Sequence, residues 1–137
     1  MHVLSGGAAA AVVKAVQAEF EKSTGTHIHG TFSAVGQMRD QLVAGTPCDV
    51  VILTKPLIEQ LMASGHVVAG SARSLGRVKT GVAVRSGTTH PSVKTREQLH
   101  AAMSAAQGIY FPDPDKATAG IHFMNVLNAL GLDQTLS

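Results

Sequence analysis

The sequence predicts an α/β fold of parallel-rich sheets flanked by helices. Two observations carry the prediction. Short apolar runs alternate with helical stretches along most of the 137 residues, the order that gives parallel strands joined by right-handed crossovers. One of those runs, Asp49–Thr54 (DVVILT), is continuously apolar inside its polar ends, the pattern of a strand covered on both faces.

The elements follow in order. Val3–Ser5 is a strand. Ala8 to Lys22 is a helix whose apolar stripe is Val12, Val13, Val16 and Phe20. Gly25 stands where the helix end wants a positive φ. His27–Phe32 is a second strand, Gln37–Ala44 a short helix closed by Gly45, and Asp49–Thr54 a third strand. Pro56 suits the first turn of the helix Leu57–Ser64, which Gly65 ends.

Residues 66–77 (HVVAGSARSLGR) break the alternation and read as a connection, dividing the chain into 1–77 and 78–137. Val78–Arg85 is then a strand, with Thr80, Val82 and Val84 on one face, and Ser86–Val93 a loop. Thr95 and Gln98 form a capping box for a helix carrying Leu99, Ala102, Met103 and Ala106. Ile109–Phe111 is a strand, 112–120 a turn-rich loop, and Ile121–Leu130 the last helix, stopped by Gly131.

Composition narrows the function classes. The apolar fraction is 45 % and the charged fraction 15 %, a globular balance. The net charge of +2 and the lack of tryptophan beside four Phe and one Tyr argue against a nucleic-acid surface. Bases collect in the second half: residues 71–137 hold Arg73, Arg77, Lys79, Arg85, Lys94, Arg96 and Lys116, an uneven solvated surface. Cys48 is the lone cysteine, so it forms no intrachain disulfide and reads as a small hydrophobe. No apolar stretch reaches the ~18 residues of a membrane span. The opening Met-His-Val has no signal-peptide pattern, so either a leader has been removed or the protein is cytoplasmic.

Three strand-to-helix junctions share one character: Ser5-Gly6-Gly7-Ala8, Ser33-Ala34-Val35-Gly36-Gln37 and Lys116-Ala117-Thr118-Ala119-Gly120. Each is small, carries a hydroxyl and precedes a helix. The first N–H groups of a helix are unpaired and carry partial positive charge, so such a junction receives an anion without a charged side chain. The alternative is that glycine merely turns the chain and Ser or Thr caps the helix. Ligands of parallel α/β sheets bind beyond the carboxyl ends of the strands, which favours the anion reading.

Other constellations are weaker. Neither G-x-G-x-x-G, nor G-x-x-x-x-G-K-[ST], nor G-x-S-x-G occurs. His27 and His29 alternate along a strand and can share a face, but no further ligand stands at a metal-site spacing. No metal and no cofactor is implied. His122 follows the third junction and reads as either a helix-surface histidine or a base. Asp113 and Asp115 read as turn-makers.

Several of these stretches together resemble the molybdate-binding and similar periplasmic components of ABC importers. They are VLSGGA at the start, FSAVGQMRDQL at 32–42, GTPCDVVIL at 45–53, GVAVR at 81–85 and DPDKATAGIHF at 113–123. The resemblance implies a type II periplasmic-binding-protein fold: two α/β lobes, 1–77 and 78–137, with an oxyanion held between them by backbone N–H groups and hydroxyls. It also implies a second lobe that is incomplete here, since family members continue further, and hence self-association through apolar surface. Periplasmic location and partnership with importer membrane subunits follow from the same resemblance.

On this alignment Gly6, Gly7 and Ala8 supply backbone donors at the first junction, Ser33, Ala34 and Gly36 at the second, and Thr118, Ala119 and Gly120 at the third. Ser5, Ser33 and Thr118 are the side-chain donors. Molybdate binders have serines where this chain has Ala8, Ala34 and Val35, and some relatives have one at Ala119. A desolvated dianion needs every donor, so these differences count against molybdate. Lys55 stands where relatives commonly carry an acid, and a cation there suits a carboxylate. The expectation is a solute-binding protein for a small oxyanion or organic anion. The alternative is an aconitate-like carboxylate isomerase on the same scaffold, with His122, Asp115 or Lys55 near the proton transfer.

Overall fold

The structure, a computed structural model, describes residues 1–132. The chain divides into two compact units, Met1–Val78 and Lys79–Ser137.

The first unit is α/β. It runs β1 (His2–Gly6), a 3-10 turn (Gly7–Ala9), α1 (Ala10–Thr24), β2 (His29–Ser33), α2 (Val35–Val43), β3 (Val50–Ile52) and α3 (Lys55–Ala63). The strands form one parallel sheet in the order β2-β1-β3. His2 lies opposite His29 and Gly6 opposite Ser33, while Val3 to Ser5 face Val50 to Ile52. The central strand is the buried one: Val3, Leu4 and Ser5 are 3 %, 2 % and 0 % exposed. Val13 of α1, Met38 of α2 and Leu61 of α3 complete the buried apolar set of this unit. Gly25 ends α1 with φ 70°, the left-handed position expected of it.

Several details differ from the sequence expectations, among them the helix starts, α1 at Ala10 rather than Ala8 and α3 at Lys55 rather than Leu57. β2 starts at His29 rather than His27, because Glu21 of α1 accepts the Ile28 N–H and contacts the His27 ring, holding 27–28 as the α1–β2 corner. The inward face of α1 is Val13, Gln17, Phe20 and Glu21, while Val12 and Val16 of the expected stripe face solvent. α2 begins at Val35, two residues before Gln37. The apolar run at 49–54 yields only the three-residue β3, and Val50 is exposed because β3 is an edge strand of the described sheet.

The second unit is helical among its described residues: α4 (Arg96–Ser104) and α5 (Thr118–Leu130). Thr95 caps α4 as expected, its Oγ1 accepting the Gln98 N–H. Reciprocally, the Gln98 side chain accepts the Lys94 N–H and the Ser92 hydroxyl. Met103, Leu127 and Leu132 form the buried cluster, with Leu99, Ile109, Phe123, Met124 and Leu130 packed on it. The Phe111 and Phe123 rings lie 4.9 Å apart, and the Arg96 guanidinium donates to the Ala129 carbonyl near the end of α5. The sole tyrosine, Tyr110, is 99 % exposed.

The strands expected at Val78–Arg85 and Ile109–Phe111 do not form. A parallel strand satisfies its backbone only through a neighbour, and neither segment pairs with another described residue. Val78 and Val82 stand in solvent accordingly. No helix among the described residues is long and apolar enough to cross a membrane.

Candidate functional site

In the first unit the parallel strands deliver three chain turns to one edge of the sheet. Gly6 and Ser33 are register partners at the carboxyl ends of β1 and β2, and Ile52 closes β3 beside Ser5. Gly6 is buried and its lack of a side chain lets the turns close on one another. A Cβ at Gly6 would sit 2.7 Å from Val35 Cγ1 and 3.7 Å from the Ile52 carbonyl oxygen. Gly7 is different: it is exposed, and a Cβ there would meet only the Ser33 carbonyl, at 4.0 Å. The structure thus brings the first and second junctions together at Gly6 and leaves Gly7 facing open space.

The helix starts at this edge lack side-chain caps. The 3-10 turn opens at Gly6, α2 at Ala34 and α3 at Thr54, none with a side-chain hydrogen bond to the first-turn N–H groups. The N–H groups of Val35, Gly36 and Gln37 and of Lys55 and Leu57 precede the first intrahelical bonds, Met38 N–H to Ala34 O and Ile58 N–H to Thr54 O. Ala8 is exposed in the 3-10 turn beside Gly7, and Ala34 and Gly36 are half-buried.

The hydroxyls are already engaged. Ser5 is fully buried and donates to the Gly6 carbonyl at 2.9 Å. Ser33 Oγ donates to Gln37 Oε1 at 2.5 Å, leaving its lone pairs outward. Lys55 occupies the first position of α3 with its side chain 85 % exposed, 3.7 Å from Glu59 one turn on. An exposed i,i+4 pair of this kind is worth little and yields readily. The sequence points to this β3–α3 turn through Lys55, and the Thr54 hydroxyl and Pro56 that close the apolar run add the signal of a junction like the other three.

In the second unit, α5 starts at Thr118, directly after the DPDK loop and Ala117, and that N-cap alanine supplies no side-chain cap. Thr118 and Ala119 are exposed. Gly120 is buried, and a Cβ there would collide with the carbonyls of Pro112 and Asp113. Glycine at this position admits the loop backbone. Asp113 makes the turn: its Oδ1 accepts the N–H of Asp115 at 2.8 Å and of Lys116 at 2.9 Å. Those two N–H groups hold its carboxyl below the usual carboxylate range. Asp115 is exposed. His122 lies on the exposed side of α5 and lines a shallow groove of about 250 Å³ with Thr80, Val82, Leu99 and Phe123.

The paired histidines separate. His27 turns to Glu21 at 3.2 Å, whereas His29 stacks on His2, centroids 5.3 Å apart. Among the described residues no group of three or more His, Cys, Asp or Glu side chains is placed to hold a metal ion. Cys48 is half-buried; burial pushes its thiol up, and it contacts the Val50 carbonyl at 3.2 Å, consistent with a packing role.

A relative to which the chain is similar is an aconitate isomerase of a Pseudomonas species, 26 % identical over 134 residues. The match takes in 93 % of this chain and 49 % of the relative, so the chain spans about half the relative's length. Residues 1–137 match the bacterial extracellular solute-binding protein family throughout, and the chain belongs to that family.

Proposed function

We propose that the protein captures a small organic anion, a carboxylate in preference to a metal oxyanion, as the solute-binding component of an ABC importer. The observation that carries this reading is the set of uncapped helix starts gathered at the carboxyl edge of the β2-β1-β3 sheet. Their free N–H groups lend this edge partial positive charge, and Gly7 at the same edge is exposed. Among the described residues α4 alone has a side-chain cap, and it belongs to the second unit.

Gly7 and Ala8 offer backbone donors, as do Gly36 and the residues around it. Ser33 offers lone pairs, and rotation of the Gln37 amide would turn its hydroxyl into a donor toward the ligand. Lys55 can leave Glu59 for a carboxylate. The Thr118-Ala119 start of α5 is a donor set of the same kind in the second unit. Family membership supports a binding role outside the cytoplasmic membrane. The alanines and Val35 where molybdate binders carry serine favour a carboxylate, as does the name of the isomerase relative.

A thermal-shift series tests the proposal, using molybdate, tungstate, sulfate, phosphate, citrate and aconitate. A ligand at ~100 times its dissociation constant stabilises by roughly 2.7 kcal/mol. The expected result is a rise with the carboxylates that Gly7→Val abolishes, because its side chain covers the backbone donors in a space that tolerates a Cβ. Unchanged affinity in Gly7→Val, or a response to molybdate and tungstate alone, contradicts it.

A second reading is favoured by one observation: His122 is exposed in a groove, and the isomerase is among the relatives. On that reading the His122 imidazole moves a proton on an unsaturated tricarboxylate. Turnover of aconitate that disappears in His122→Ala supports it; binding without turnover rejects it.

A further inference from the structure

The amino edge of the sheet, opposite the helix starts, carries a feature that anion capture does not use. His2 and His29 are direct register partners on adjacent parallel strands. Both are exposed, and their rings stack with centroids 5.3 Å apart and planes 28° from parallel. On the other side of His2, Asp49 accepts the His2 backbone N–H at 2.7 Å and so fixes the strand that carries the first ring. Three paired strands hold the two Cα positions, so the spacing of the points from which the imidazoles hang is set by the ladder.

We propose that His2 and His29 form a two-histidine clamp for a late first-row divalent cation, with water completing its coordination. Imidazole is a preferred ligand of Ni(II), Cu(II) and Zn(II). A metal bound at ~2.0–2.1 Å by each ring holds two neighbouring donor nitrogens about 3 Å apart. Neighbouring strands lie ~4.8 Å apart, so rotation about the exposed side-chain bonds of these two register partners brings the rings to that separation with no backbone movement. His27 stands apart from the pair: its ring turns to Glu21 across the α1–β2 corner, and no group of three possible metal ligands is gathered among the described residues. A cation held by both rings ties β1 to β2 only when they are paired, so it stabilises the folded sheet.

The test is titration with nickel chloride, followed by calorimetry and by thermal shift, in the parent chain and in His2→Ala, His29→Ala and His27→Ala. The expected result is one site per chain and a raised melting temperature in the parent and in His27→Ala. Affinity falls by about tenfold or more in both His2→Ala and His29→Ala. The replaced rings are exposed, and each variant's metal-free melt checks that the fold survives. Binding that persists undiminished in His29→Ala, or no heat and no shift in the parent, overturns the clamp.

Discussion

The two units contain apolar runs of similar character and put them to different ends. In the first, Val3–Ser5 lies between two parallel neighbours and is the most buried segment among the described residues. In the second, the segment that follows Val78, Lys79–Arg85, carries Thr80, Val82 and Val84 at alternate positions, yet Val82 faces solvent and no ladder forms among the described residues. The difference lies in pairing. A run of valines is an offer of a strand, and the offer is taken up only where a neighbour brings its own N–H and C=O groups. The second unit is held by side chains instead, around Met103, Leu127 and Leu132.

Hydrogen exchange gives the largest contrast. Amides of Leu4 and Ser5 exchange only through opening of the sheet, and those of 78–85 exchange near the free-chain rate. The expected ratio is on the order of 10³ or more. Equal protection of the two segments would break the comparison. Met38→Ala sharpens it from the packing side. Met38 is wholly buried over the sheet, so its truncation lowers stability by about 2–5 kcal/mol. A urea titration followed by far-ultraviolet circular dichroism reads this, and a loss under 1 kcal/mol would mean the first unit is loosely packed.

The smallest effect concerns the corner that starts β2. Glu21 accepts the Ile28 N–H at 3.0 Å, the Gln17 amide at 2.8 Å and the His27 ring at 3.2 Å. The Ile28 bond is the main cause that lowers its pKa from 4.5 to about 2. The folded state therefore prefers the carboxylate. Its contribution is complete above pH 4.5 and is lost as the pH falls toward 2. Glu21→Gln should shrink the fall in melting temperature across that window while leaving a constant offset above it. Parallel curves for the two proteins would remove Glu21 from the acid response.

Local signals were legible in the sequence wherever one residue decides the outcome. Gly25 and Gly131 end their helices with left-handed φ, and Thr95 with Gln98 caps α4. The three-stranded parallel arrangement was legible from alternation alone. What escaped depends on contacts between distant residues. Glu21 reaching Ile28 holds 27–28 as a corner ahead of β2, and Val12 and Val16 lie outside the buried face of α1. Absence of a ladder partner left Val78–Arg85 and Ile109–Phe111 unpaired.

The site divides in the same way. The first two junctions were readable as small, hydroxyl-bearing turns, and they meet around Gly6. The engagement of Ser5 with the Gly6 carbonyl and the closing of Pro112 and Asp113 over Gly120 were not readable, because backbone carbonyls leave no mark on composition.

Tyr110 has a practical bearing on every one of these measurements. With no tryptophan in the chain, that single ring supplies nearly all of its intrinsic fluorescence, and it already stands in water in the second unit. Emission is then a dim, one-sided reporter: the sheet of the first unit can come apart with little change in the light. An extrinsic dye, or a tryptophan placed at Phe20 or Phe32, would give the silent half of the molecule a voice.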